Sequence, residues 1–254
     1  MLLLPWHLTD HLAGGLNVTL PADVVVIPGR PGGTGGQWAD LVGVYSGLRD
    51  AVAATAAPPV VLTGDCVASL AVIAGVQCRG VRAGLVWFDA HGDFHTEATT
   101  TSGYLGGLPL AKAVGRGDLT LPTALGMTPL PEQSVMLVDG RDLDPPEVTA
   151  LASSKVLRAN VAELNTSPLP TGPLIVHVDL DVIDQAALAG LRFPAPTGPS
   201  LGAVADGIAA VVRRREIAVL DIAATWRPAE TDRGQIDAAM RAVLTAAGMQ
   251  LSEQ

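Results

Sequence analysis

Two short runs carry side chains suited to metal chemistry, Asp89-Ala-His91-Gly-Asp93 and His177-Val-Asp179-Leu-Asp181, and each closes an apolar stretch. Alternate side chains of a strand share a face, so residues 89, 91 and 93 can point together, as can 177, 179 and 181. Four carboxylates and an imidazole on one rim repel one another unless cations sit among them. Divalent metal is the natural partner. Two ions roughly 3.5–4 Å apart, bridged by carboxylates, acidify a shared water into a nucleophile near neutral pH. Each run alone has a plainer reading, since a strand-end aspartate often caps the following helix. The pairing of the two runs on one sheet is what favours metal.

The elements that must position them are legible as β-branched runs at 23–27, 59–62, 84–88, 134–138, 174–178 and 217–220. They alternate with segments of helical composition at 38–56, 66–74, 105–114, 145–153, 201–214 and 231–247. Such alternation predicts one α/β domain over residues 1–254: a mostly parallel sheet with helices on both faces, in three layers. Five strands end in or just before a carboxylate, Asp65, Asp89, Asp139, Asp179 and Asp221. Ligands bind beyond the carboxyl ends of parallel strands, so these acids are expected to converge on one rim. The Gly-rich stretch 28–36 matches neither phosphate-binding pattern and reads as a loop near that edge, and 165–173 reads as a connection. Arg213-Arg-Arg215 reads as a solvated helix end.

A chain of 254 residues with 48% hydrophobic content can bury the core of such a domain. Its net charge of −9 argues against nucleic acid or an anionic membrane as partner. Met1-Leu-Leu-Leu-Pro5 is too short for an export signal, and no window approaches the roughly 18 apolar residues of a membrane span. A soluble, cytoplasmic protein acting on a small molecule is expected. Two cysteines, Cys66 and Cys78, do not make a disulfide framework.

The order of these motifs resembles the arginase/agmatinase (ureohydrolase) family from about residue 59 onward. Pro59–Gly75, containing Gly64-Asp-Cys66, is similar to the family's first metal segment, and Trp87–Glu97 to its second. Thr101-Ser-Gly-Tyr-Leu-Gly-Gly-Leu-Pro109 looks like the substrate loop, and Gly140-Arg-Asp-Leu-Asp144 like a further substrate-side strand end. His177–Asp184 and Leu220–Pro228 resemble the last two segments. The resemblance implies that Asp89 and Asp179 bridge two metal ions, with His91 and Asp181 completing one shell and Cys66 and Asp93 the other. Asp93 would also orient the bridging hydroxide, and Ser102 and Asp144 would meet the amino-acid end of a substrate. It implies Mn²⁺ as the usual metal and a homo-oligomer, a trimer or hexamer.

Three departures redirect the expectation. Cys66 stands where the family carries a histidine ligand. As a thiolate it would favour Zn²⁺, Fe²⁺ or Co²⁺ and leave the site more negative than two dications neutralise, while a buried cysteine without a ligand role is the alternative. Gly106 and Tyr104 replace the family's shuttle histidine and an asparagine, leaving His95 as a possible proton carrier and Tyr104 as a substrate contact. Ala224 replaces the glutamate that holds a guanidinium, which wants a bidentate carboxylate, with Glu230 as a stand-in if its loop bends back. The expected activity is metal-dependent hydrolysis of a C–N bond in an amide-, amidine- or guanidine-like small molecule by metal-activated hydroxide, rather than standard arginase or agmatinase activity. The alternatives are a single-ion, deacetylase-like amidohydrolase, or a catalytically silent scaffold kept for binding or assembly.

Overall fold

The structure is a computed structural model describing residues 1–13, 16–33, 35–224, 226–227 and 232–249. Its centre is an eight-stranded parallel sheet: β1 (Leu2–Leu4), β2 (Val25–Val26), β3 (Val60–Thr63), β4 (Gly84–His91), β5 (Val135–Asp142), β6 (Leu157–Ala159), β7 (Leu174–Asp179) and β8 (Ile217–Ala223). The spatial order is β2-β1-β3-β8-β7-β4-β5-β6. Pairing β4 with β7 and β7 with β8 brings segments distant along the chain into register, with Val178 opposite Phe88 on one side and Ile222 on the other.

Strand alternation splits the apolar side chains between two cores. On β4, Leu85 and Trp87 enter one core while Val86 and Phe88 enter the other. The first core lies under α1 (Val42–Ala53), α2 (Ser69–Cys78), α3 (Pro109–Ala113) and α4 (Pro145–Ala152), through Leu48, Ile73, Leu110 and Leu151. The second lies under α5 (Leu201–Val212) and α6 (Arg233–Ala246), through Ile208 and Val243. Helix α2 is apolar all round and buried from Ser69 to Val76, as a helix wedged between its neighbours and the sheet must be. Ser200 and Asp232 cap α5 and α6 by accepting from backbone N–H groups.

The α/β architecture and the six anticipated strands are present, with corrections at the edges. Strands β1 and β6 join the sheet unforeseen, because three-residue segments are too short to show alternation. The helix expected over 38–56 is two, Gln37–Asp40 and Val42–Ala53, and Cys66 opens a 3-10 turn ahead of α2. Among the described residues no helix is long and apolar enough to cross a membrane.

Candidate metal centre

The central strands end on a cavity of about 210 Å³ lined by Cys66, Asp89, His91, Asp93, Asp179 and Asp181. Asp89 follows Phe88 in β4, Asp179 ends β7, and Asp181 sits in the 3-10 turn that follows, whose backbone N–H donates to Asp179 Oδ1 at 2.9 Å. Asp93 adopts a left-handed backbone, φ 48°, uncommon for a residue other than glycine and the kind of strain found where a side chain must be aimed. Its carbonyl accepts from Ala111, tying the turn to α3.

These groups are close and mostly buried. His91 Nδ1 lies 3.0 Å from Asp181 Oδ2 and 3.4 Å from Asp89 Oδ1. The Cys66 thiol donates to Asp179 Oδ2 at 2.9 Å, and the Trp87 indole N–H to Asp89 Oδ2 at 2.9 Å. Burial, then the charge of Asp89, pushes the Asp179 carboxyl up to about 6. Burial and neighbouring carboxylates push Asp93 and Asp181 well above the usual range. Burial opposes charge on His91, yet its bonds to Asp181 and Asp89 win and push it up to about 12. Burial, then Asp179 and Asp93, raises the Cys66 thiol.

Carboxylates driven to keep protons by burial and mutual repulsion are relieved by cations. Asp93 Oδ2 fits the same reading, being buried with no hydrogen-bond partner among the described residues, an arrangement that costs about 1–3 kcal/mol unless something else satisfies it. Asp89, His91 and Asp181 present ligand atoms within 4.8 Å of one another. The donor set of carboxylate, imidazole and thiol suits a divalent first-row ion.

Not every strand-end acid joins this site. Asp65 lines the cavity, but its oxygens accept from Leu8 N, Ala68 N and the Tyr45 hydroxyl. Asp139 pairs with Arg141. Asp221 lies beneath the rim, fully buried, bonded to Ser69 and His177. The expectation that all five converge is therefore corrected: alternation and local pairing turn three of them to anchoring.

The same cavity is also lined by Ser102, Tyr104, His95, Asp144, Glu147 and Phe193. His95 Nε2 is 3.1 Å from Asp144 Oδ2 and Nδ1 is 3.1 Å from Thr99 Oγ1, so both ring nitrogens are engaged. Tyr104 shares a 2.9 Å hydrogen bond with His7 Nε2 and packs on Phe193, ring centroids 4.7 Å apart. A Cβ placed on Gly106 would lie 2.3–2.5 Å from the Tyr104 ring and hydroxyl. The changes at 104 and 106 are thus one change in space, the phenol ring occupying what a side chain at 106 would fill. Ala224 is buried and supplies no carboxylate, and Glu230 lies outside the described residues.

Four residues were given no role of their own from the sequence. Arg141 bonds the carbonyls of Asp181, Val182, Ala195 and Pro196, clasping the loop that carries Asp181. His7 and Phe193 form the wall around Tyr104 and sit in segments with no chemical signature. The fourth, His177, was read as sharing a face with Asp179, two residues on, but was assigned no part in the site.

A parallel sheet whose carboxyl rim gathers buried acids and an imidazole defines an α/β protein of the cation-binding kind. The model of the arginase family matches residues 22–248, and the chain belongs to that family. An arginase of Eremothecium gossypii is 33% identical over 175 residues, covering 61% of this chain and 43% of that protein. An N(omega)-hydroxy-L-arginine amidinohydrolase of Streptomyces lavendulae is 29% identical, covering 69% of this chain and 63% of that one. The matched stretch spans about half the length of the arginases it resembles in sequence. The native arginase structure from Bacillus caldovelox has a TM-score of 0.75 at 22% identity, covering 89% of this chain and 84% of that chain, and shares the fold.

Proposed function

We propose that this chain is a divalent-metal-dependent hydrolase of a C–N bond in a small guanidine-, amidine- or amide-like molecule, with arginine and agmatine disfavoured. The observation that carries the reading is the set of four aspartates around one cavity, Asp89, Asp93 and Asp181 buried and Asp179 partly so, with one Asp93 oxygen unpartnered among the described residues. Asp89 and Asp179 would lie between two ions, His91 and Asp181 would hold one, and Cys66 and Asp93 the other. Ions bound there would supply Lewis acidity and lower the pKa of a water.

The chain's own residues shape the rest. Asp93 Oδ2 would orient the attacking water. Ser102 and Asp144 would bind the polar end of the substrate, while Tyr104 and Phe193 offer an aromatic wall. His95, bonded to Asp144 in the same cavity, would move a proton to the leaving nitrogen. A guanidinium, always charged, needs a bidentate carboxylate, and at 224, where the resemblance assigns that carboxylate, this chain has a buried alanine. The relative named for hydroxyarginine makes modified guanidines the first compounds to try.

The test is a screen of guanidino, amidino and amide compounds with protein loaded with Mn²⁺ or Zn²⁺, following ammonia and urea. Turnover of a compound other than arginine or agmatine, lost in Asp181→Asn and on chelation, is expected. Efficient urea release from arginine would refute the substrate assignment. Bound metal with no turnover across the screen would favour the silent scaffold instead.

A further inference from the structure

Cys66 leaves the second ion without the imidazole that the resemblance assigns to that position, and the structure holds an unexplained imidazole beside it. His177 lies on β7 one face-step below Asp179, fully buried, its ring stacked on Trp87 with centroids 3.7 Å apart. One ring edge is fully occupied: Nδ1 is 2.8 Å from Asp221 Oδ2 and 2.9 Å from Ser69 Oγ, and Ser69 donates to the same carboxylate oxygen at 2.5 Å. With the serine proton and the ring N–H both directed at Asp221, the neutral ring keeps its proton on Nδ1. Nε2 then presents a bare lone pair. It is buried and has no hydrogen-bond partner among the described residues.

An orphaned nitrogen inside a dry core is costly unless something satisfies it. Its neighbours indicate what: Cys66, Asp89 and His177 each offer a ligand atom within 4.8 Å of the other two. A histidine whose far nitrogen donates to a carboxylate is how proteins fix the tautomer and orientation of a metal-ligating ring. On these grounds we propose that His177 is the histidine ligand of the second ion, so that the imidazole absent at position 66 is supplied from the neighbouring strand, with Ser69 and Asp221 holding the ring. A borderline nitrogen donor beside the sulfur suits Zn²⁺ or Co²⁺ better than Mn²⁺.

This assignment rests on the two-ion reading above, and the experiment separates the two. Zinc-loaded full-length protein is examined by elemental analysis and by X-ray absorption, which counts imidazoles around zinc, alongside His177→Gln. Expected are two zinc ions per chain with two imidazoles between them, and in His177→Gln one ion lost or bound at least tenfold more weakly, with native circular dichroism. Two ions sharing one imidazole in the wild type, or a folded His177→Gln that keeps both ions at unchanged affinity, overturns the assignment alone. A wild-type chain that binds one ion or none overturns the two-ion reading and the assignment with it. If His177→Gln does not fold, the wild-type imidazole count still decides.

Discussion

The acids at the rim hold their protons unusually tightly, and this has a measurable sign. Asp179, pushed up to about 6 by burial and then by Asp89, together with Asp93 and Asp181, binds protons in the folded chain that an unfolded aspartate releases near pH 4. Without cations, the stability Asp179 contributes is full below about pH 4 and is lost as pH rises through about 6, and that of Asp93 and Asp181, whose carboxyls are also raised, is likewise lost as pH rises. A cation must displace those protons, so thermal stabilisation by added Zn²⁺ should grow between pH 5.5 and 7.5. A melting shift independent of pH would contradict the burial described for these carboxylates. Position 106 gives a second residue-level test. Gly106→His should destabilise by about 1–3 kcal/mol, since its Cβ meets the Tyr104 ring, and adding Tyr104→Asn should recover most of that loss. Equal melting temperatures for wild type and Gly106→His would show that the ring moves aside freely.

Among the elements, the end of β5 does the most to hold the site in shape. Asp139 and Gly140 are both left-handed, φ 78° and 55°, opposite a register shift after Asp89, and this bulge turns Arg141 across to the Asp181 loop. Arg141→Lys keeps the charge but not the fork that reaches four carbonyls. It should cost about 2 kcal/mol in urea denaturation and weaken metal binding about tenfold or more. Unchanged metal affinity would reduce Arg141 to a surface staple. None of this was legible in the sequence, where Gly140-Arg-Asp resembled a substrate-side segment, because a bulge depends on its neighbour's register. The central strands were legible because burial on both faces leaves continuous β-branched runs such as Leu174-Ile-Val. Asp89, His91 and Asp179 were legible because they end apolar strands, and Asp93 and Asp181 because each follows two residues behind, in the turn that leaves its strand. The roles of Asp65 and Asp221 were not, since each is set by partners distant in sequence, Tyr45 and Leu8 for one and His177 with Ser69 for the other, and that of Asp139 was not, since its pairing with Arg141 two residues on depends on the bulge.

For the molecule as a whole, the two cores lie on the faces of the sheet and the acids at its end, so the fold should outlast its ions. Chelated protein is expected to keep its circular dichroism while melting on the order of 10 °C lower, the effect of ligand at roughly a thousand times its dissociation constant on a chain of this length. Loss of the spectrum at room temperature would make the cations part of the core. A particle of three or six chains, the state the family resemblance implies, should be found by light scattering. The strand order has one more consequence. Cys66, Asp89 and Asp179 meet only when β7 is inserted between β4 and β8, the last strand of the sheet to be synthesised. An emerging polypeptide that stops short of β7 carries Asp89, His91 and Asp93 yet encloses no cavity, so ion capture belongs to the finished chain, and ribosome-stalled fragments ending before Leu174 should retain no zinc.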